Sequence, residues 1–224
     1  EDFRGMAALW EDARVRAALR TTMVTSVAAT GVLALFGVPL AYAVARLEFP
    51  GKTFLQALVN VPIVIPQSVA GIALLTVFGR RQFVGETMGR LFGVYFDGTV
   101  LGIILAQVFV ASPFLIKSAI AAFEGVPVRL EQAARTLGAG PLSAFRRVCL
   151  PLAGRGLVLG MILAWARAAG EFGALLFIAP NPETVPVLAF NRFQSLGQAE
   201  TGPLVALAMI FSLAMFLLLQ LVSR

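Results

Sequence analysis

Two charged residues four apart, Arg167 and Glu171, interrupt an otherwise uncharged run from Gly156 to Ala179. On a helix they share one face and can neutralise each other, although basic before acidic is the weaker order for pairing. A lone arginine at the centre of a membrane helix costs about 2.5–3.5 kcal/mol. Two roles fit the pair. It can be a structural ion pair at a helix or subunit interface, or Arg167 can lend positive potential to an anion route. In the second role Glu171 would repel an anion unless Arg167 or a backbone donor holds it. Gly170 and Gly173 flank Glu171, so the helix can bend there.

A second polar group lies in another apolar run. Asn60, Gln67 and Ser68 stand beside Pro62 and Pro66. Proline frees a carbonyl that lipid cannot satisfy, so such a stretch is expected to face a pathway or a helix interface. The tripeptide Gly51-Lys52-Thr53 is a phosphate-loop decoy. The full pattern needs glycine five residues before Gly51, and that position is Arg46. The chain has no histidine, which removes Ser-His-Asp catalysis and His-ligated zinc or haem. Its one cysteine, Cys149, rules out an internal disulfide and a Cys-rich metal site. No metal ligand set and no clustered acid, base and nucleophile are present, so a catalytic role is not expected.

The elements that hold these residues follow from composition. The chain has 224 residues, 58% hydrophobic and only 13% charged, with a mean hydropathy of +0.86. A soluble domain is typically about 25% charged, so lipid is the expected solvent for much of the surface. A membrane helix needs about 20 apolar residues. Five such runs occur, at about 21–45, 53–79, 98–116, 156–179 and 201–223. Barrel strands would alternate over about 10 residues, and these runs do not. Pro39 and Pro113 lie in the first and third runs. The spacings Gly98–Gly102 and Gly156–Gly160 permit close helix contact. Lys117 can snorkel to the interface from the end of the third span. Residues 80–97 form a loop whose Phe83, Leu91, Phe92, Tyr95 and Phe96 suit the headgroup region.

Five spans put Arg46, Lys52, Lys117, Arg129, Arg135, Arg146, Arg147, Arg155 and Arg224 on one side. Arg4, Arg14, Arg16, Arg20, Arg80, Arg81, Arg90 and Arg192 fall on the other. Nine against eight decides little by the positive-inside rule. The connector from Lys117 to Arg155 alone carries six basic residues and two acidic ones, which favours a cytoplasmic connector. Residues 1–20 then form an external segment, and a further span could precede Glu1. The net charge of +6 reflects this topology and not nucleic-acid binding.

The connector reads as two short amphipathic helices. Pro127 can open the first, where Leu130, Ala133, Ala134 and Leu137 fall on one apolar face. Glu131 precedes Arg135 by four residues, the favourable order for an ion pair. Gly138 suits a left-handed cap. Pro141 can open the second helix, with Leu142, Phe145 and Cys149 spaced for one face, and Pro151 is expected to stop it. An apolar stripe with a basic rim fits a groove on a partner; the plainer alternative is a helix lying on the bilayer.

The run Leu130-Glu131-Gln132-Ala133-Ala134-Arg135-Thr136-Leu137-Gly138-Ala139-Gly140, followed by Leu150-Pro151, resembles the EAA loop of binding-protein-dependent ABC importer permeases. Ala166-Arg167-Ala168-Ala169-Gly170-Glu171-Phe172-Gly173-Ala174 and Phe49-Pro50-Gly51-Lys52 resemble the molybdate, tungstate and sulfate branch. Pro180-Asn181-Pro182-Glu183-Thr184-Val185-Pro186-Val187-Leu188 looks most like its tungstate/molybdate members.

The resemblance implies a single membrane domain over residues 1–224, an all-α integral membrane protein with five visible spans and two short cytoplasmic coupling helices in the loop 124–151. Arg129, Glu131, Ala133, Ala134, Arg135, Leu137 and Gly138 are the expected ATPase-coupling residues. Asn60, Pro62, Pro66, Gln67, Ser68, Arg167 and Glu171 are the candidates for the pathway or gate. The implied partners are a second copy of the chain, two cytoplasmic ABC ATPase subunits, an external binding protein and membrane lipid. ATP and Mg would be bound by the ATPase, with no cofactor on this chain. The implied place is the plasma (inner) membrane, and the implied activity is inward molybdate or tungstate transport without covalent chemistry. A sulfate permease of the same family is the near alternative. An ion channel or secondary carrier is the alternative from another class.

Overall fold

The computed structural model describes residues 10–223, and among these every regular element is helical. The first nine residues of the expected external segment, and Arg224, lie outside the described residues. Helix α1, Ala13–Arg46, starts about two turns before the first uncharged run. Asp12 sets that start, because its carboxylate accepts from the backbone amides of Arg14 at 2.7 Å and Val15 at 3.4 Å.

The uncharged run 53–79 is two helices, not one. Helix α2, Lys52–Val64, and helix α3, Gln67–Phe78, are bent by 116° at the break between them. Pro66 explains the position. A residue before proline is driven out of the helical region, and Ile65 is extended, with φ −73° and ψ 129°. The pair still traverses the bundle. Leu55, Val59 and Asn60 of α2 share a cavity wall with Ile116, Ile120 and Glu124 of helix α5, Val100–Glu124. Leu74 of α3 packs with Ile103 and Ala106 near the other end of α5. Between them, Phe83–Phe92 forms the short helix α4, with Phe83, Leu91 and Phe92 exposed.

Helix α6, Val128–Thr136, follows α5. Next, α7 (Pro141–Ala144), a π-helical turn (Phe145–Cys149) and α8 (Leu150–Ala169) form one continuous helix of 29 residues. Pro151 therefore does not stop the second connector helix. The wider turn before it relaxes the backbone where the proline ring would otherwise crowd the carbonyl of the preceding turn. The span expected at 156–179 is displaced accordingly. It begins earlier and ends at Ala169, capped by Gly170, so Glu171 lies beyond the helix. The chain continues through α9 (Leu175–Ile178), α10 (Val185–Leu196) and α11 (Gln198–Ser223). Helix α10 docks on the start of α1 through Val15, Ala18, Val185 and Leu188.

Lipid offers little drive to bring helices together, so seams depend on small residues. Ala41, Ala111, Ala119, Ala153, Ala164 and Ala168 are all buried in the main core. A Cβ on Gly156 would lie 2.6 Å from Ala122 Cβ, and one on Gly160 would lie 2.8 Å from Ser118 Cβ. That seam joins α8 to α5. The Gly98–Gly102 spacing is no helix seam. Gly98 is a left-handed turn residue (φ +66°), and Gly102 makes room for the Phe96 carbonyl.

Candidate functional site: the anchored connector helix and the polar break

Glu131 points into the protein, although it lies on the most polar of the helices. It is 8% exposed and is the buried residue of α6. Its carboxylate accepts from Tyr42 Oη at 2.7 Å and from Arg46 Nε at 2.8 Å, both at the end of α1. Arg46 Nη2 lies 2.7 Å from Glu131 Oε1 and donates to the carbonyl of Val126 at 2.9 Å. The ion pair expected between Glu131 and Arg135 is replaced by this one. A partner 85 residues away offers a buried, two-atom fork, where Arg135 offers an exposed helical neighbour.

With Glu131 turned inward, the apolar stripe of α6 faces outward. Leu130 is 41% exposed and Leu137 88%. Arg129, Ala133 and Arg135 are exposed beside them, and Ala134 is half-buried. Gly138 ends the helix with φ +90°. The amide of Ala139 donates to the carbonyl of Ala134, and that of Gly138 to Arg135, each at 3.0 Å. These two bonds form the Schellman closure that a left-handed residue permits. Beyond it, Leu142, Arg146 and Arg147 are exposed, whereas Phe145 packs on the core and Cys149 is fully buried.

Burial works to raise the pKa of the Glu131 carboxyl, but the hydrogen bonds from Tyr42, Arg46 and Cys149, with the Arg46 charge, outweigh it and leave it lowered. A carboxylate whose pKa is lowered by folding stabilises the fold above its unfolded value of about 4.3. That contribution is lost as pH falls through the folded value. Thermal melts of the purified protein should therefore weaken with acidification below the ordinary carboxylate range. Glu131→Gln should lack that part of the pH dependence, and identical pH profiles for the two proteins would contradict it.

The second candidate group gathers at the break. A cavity of about 320 Å³ is lined by the segment from Pro62 to Gln67 together with Val110, Phe114 and Arg167. Pro62, Pro66, Gln67 and Arg167 thus meet in one place, from runs about 100 residues apart. Asn60 does not join them. It lines a separate cavity of about 290 Å³ with Lys117 and Glu124, and its buried Oδ1 has no hydrogen-bond partner among the described residues. Ser68 is exposed and lines neither cavity.

Glu171 is fully buried behind Arg167. Arg167 Nη2 stands 2.8 Å from Glu171 Oε2, at an angle outside hydrogen-bond geometry, so attraction between charges joins them. Glu171 Oε1 accepts from the amide of Ala174 at 2.8 Å. The carboxylate therefore fastens the non-helical turn after α8 to the start of α9. Arg167→Ala would leave a buried carboxylate without its cation, a loss of about 3–5 kcal/mol. The expected result is a sharply lower melting temperature, largely regained by adding Glu171→Gln. A folded, equally stable Arg167→Ala protein with altered anion selectivity would show the charge acting on the pathway instead.

The sequence marks Arg46 only by its charge and by its place ahead of the Gly51-Lys52-Thr53 decoy, and gives Tyr42 no role. Their i, i+4 spacing at the end of a span was the available signal, since it places both on one face beside the connector.

The chain resembles known proteins along most of its length. Residues 35–224 match the family described as binding-protein-dependent transport system inner membrane component. The chain is 39% identical over 98% of its length to the molybdate/tungstate transport system permease protein WtpB of Pyrococcus abyssi, covering 83% of that protein. It is 38% identical over 84% of its length to the molybdenum transport system permease protein ModB of Escherichia coli K12, also covering 83% of it. Among solved structures, a chain of a bacterial ABC transporter involved in the import of the acidic polysaccharide alginate aligns over 99% of this chain and 82% of its own. The TM-score there is 0.73 at 16% identity. An inward-facing MetNI methionine ABC transporter chain aligns over 92% of this chain and 95% of its own, with a TM-score of 0.63 at 18% identity.

Proposed function

Because the chain belongs to the binding-protein-dependent transport system inner membrane component family, we propose that it is the permease subunit of an ABC importer carrying molybdate or tungstate inward. It is a multi-pass membrane protein and a transporter subunit, not itself an enzyme. The observation that carries the reading is α6. This helix turns its acid into the bundle and holds Leu130 and Leu137 outward, beside Arg129 and Arg135, at the end of α1. An apolar stripe with a basic rim, anchored from beneath, is built to be pushed by a partner. A channel or a secondary carrier has no use for such a surface.

In this reading two copies of the chain enclose the route. ATPase subunits seat on the connector helices from the cytoplasmic side of the plasma membrane, and a binding protein delivers the oxyanion from outside. ATP and Mg belong to the ATPase. Its closure moves α6 as a rigid body, and the spans switch between inward- and outward-facing packings. The polar break of α2–α3, with Arg167 beside it, is the candidate stretch of the route. The dianion needs attraction enough to enter and not so much that it stays.

The test is reconstitution in liposomes with an ABC ATPase subunit and an oxyanion-binding protein as partners. Labelled molybdate should accumulate only when all three components and ATP are present, and excess sulfate should compete poorly. Full-rate uptake by this chain alone would refute an ATP-driven importer. Strong competition by sulfate would reassign the substrate within the family.

A further inference from the structure

The buried group around Glu131 joins more elements than a local ion pair would. Arg46 holds the Glu131 carboxylate with one part of its guanidinium and the Val126 carbonyl with another. Its Nη2 also lies 3.8 Å from Cys149 Sγ in the π-helical turn. The ring of Tyr42 packs edge-on against Phe123 at 5.3 Å and Phe145 at 4.6 Å, and its hydroxyl donates to Glu131. Phe123 closes α5 and is fully buried. One point therefore ties together the end of α1, the end of α5, the start of α6 and the turn entering α8.

We propose that Arg46 and Tyr42 are positioning residues that, through Glu131, make α6 move as one body with the ends of α1 and α5. The inference rests on the reading of α6 as the coupling helix. The outward face of α6 meets the partner, so its own hold on the spans must come from its inward face. On that face Glu131 is the buried residue, and its bonds run to Tyr42 and Arg46 at the end of α1 and to Cys149 in the π-helical turn. Without them a push on Leu130 and Leu137 would tilt α6 and leave the spans behind. A planar fork suits this task better than an ammonium, because it bridges the carboxylate and the carbonyl at fixed angles.

Tyr42→Phe and Arg46→Lys test this in the complete reconstituted importer. Tyr42→Phe keeps the ring packing and removes only the hydroxyl; Arg46→Lys keeps the charge and removes the fork. Both should fold, retain the ATPase and continue to hydrolyse ATP. Molybdate delivered per ATP should fall about tenfold, the factor carried by one hydrogen bond to a charged group. Unchanged delivery per ATP in both variants would overturn the inference. So would hydrolysis and delivery falling in proportion, which would make the residues structural only. Failure of the unmodified chain to hold the ATPase would overturn the reading of α6 itself, and the inference with it.

Discussion

Glu131→Ala should remove most ATP-driven oxyanion uptake and cost about 3–5 kcal/mol of stability. The loss does not arise from a missing contact with the ATPase, since Glu131 faces its own bundle. It arises because the Arg46 side chain, only 10% exposed, is left buried without its carboxylate, while Tyr42 Oη and Arg46 Nε both lose their acceptor. Glu131→Gln keeps an acceptor of the same shape and should fall between the wild type and alanine. The measurements are denaturation of the purified chain and molybdate uptake by the assembled importer. An alanine variant as stable and as active as the parent would remove the anchor from the account.

Gly71→Ala should be as damaging from a single methyl group. Helix α3 passes so close to the turn after α8 that a Cβ on Gly71 would lie 2.5 Å from the Ala174 carbonyl oxygen and 2.7 Å from its Cα. Both neighbours are backbone and cannot rotate aside. Gly173 meets Gln67 in the same seam, where a Cβ would lie 2.6 Å from Gln67 Cβ. Overpacking of this kind costs typically about 1–3 kcal/mol, and a backbone wall puts this case at or above the upper end. The expected result is poor yield and a melting temperature well below the parent's. Gly31→Ala is the control. Gly31 sits in α1, and among the described residues nothing beyond its own stretch of helix lies within 4 Å of the added methyl; alanine there should gain about 0.8–1.0 kcal/mol of helix propensity. Equal behaviour of the two variants would mean the α3 seam is looser than its geometry.

The all-helical membrane class was legible because charge-free runs of span length leave few other solutions. The Gly138 closure was legible too, since a glycine after an amphipathic run is a local signal. Three features were not. The break at Pro66 needs the two prolines read as a boundary, whereas the uncharged run continues through them. The end of α8 at Ala169 is hidden because Phe172–Ala179 is as apolar as a span. The inward turn of Glu131 is the most instructive. Periodicity marks Leu130, Ala133 and Leu137 as one apolar face and pairs Glu131 with Arg135, so nothing local shows the acid turning into the bundle. The acid goes inside only because Arg46, distant in sequence, waits there.

The elbow at Ile65–Pro66 bears on how the bundle can change shape. Proline has no amide hydrogen to give, so around Pro62 and Pro66 parts of the helical ladder between α2 and α3 never exist. Re-aiming one arm against the other breaks no rung there. Its cost is the torsion of an already extended residue and the repacking of a cavity wall. A transporter that switches between two packings gains a joint that is never required to melt.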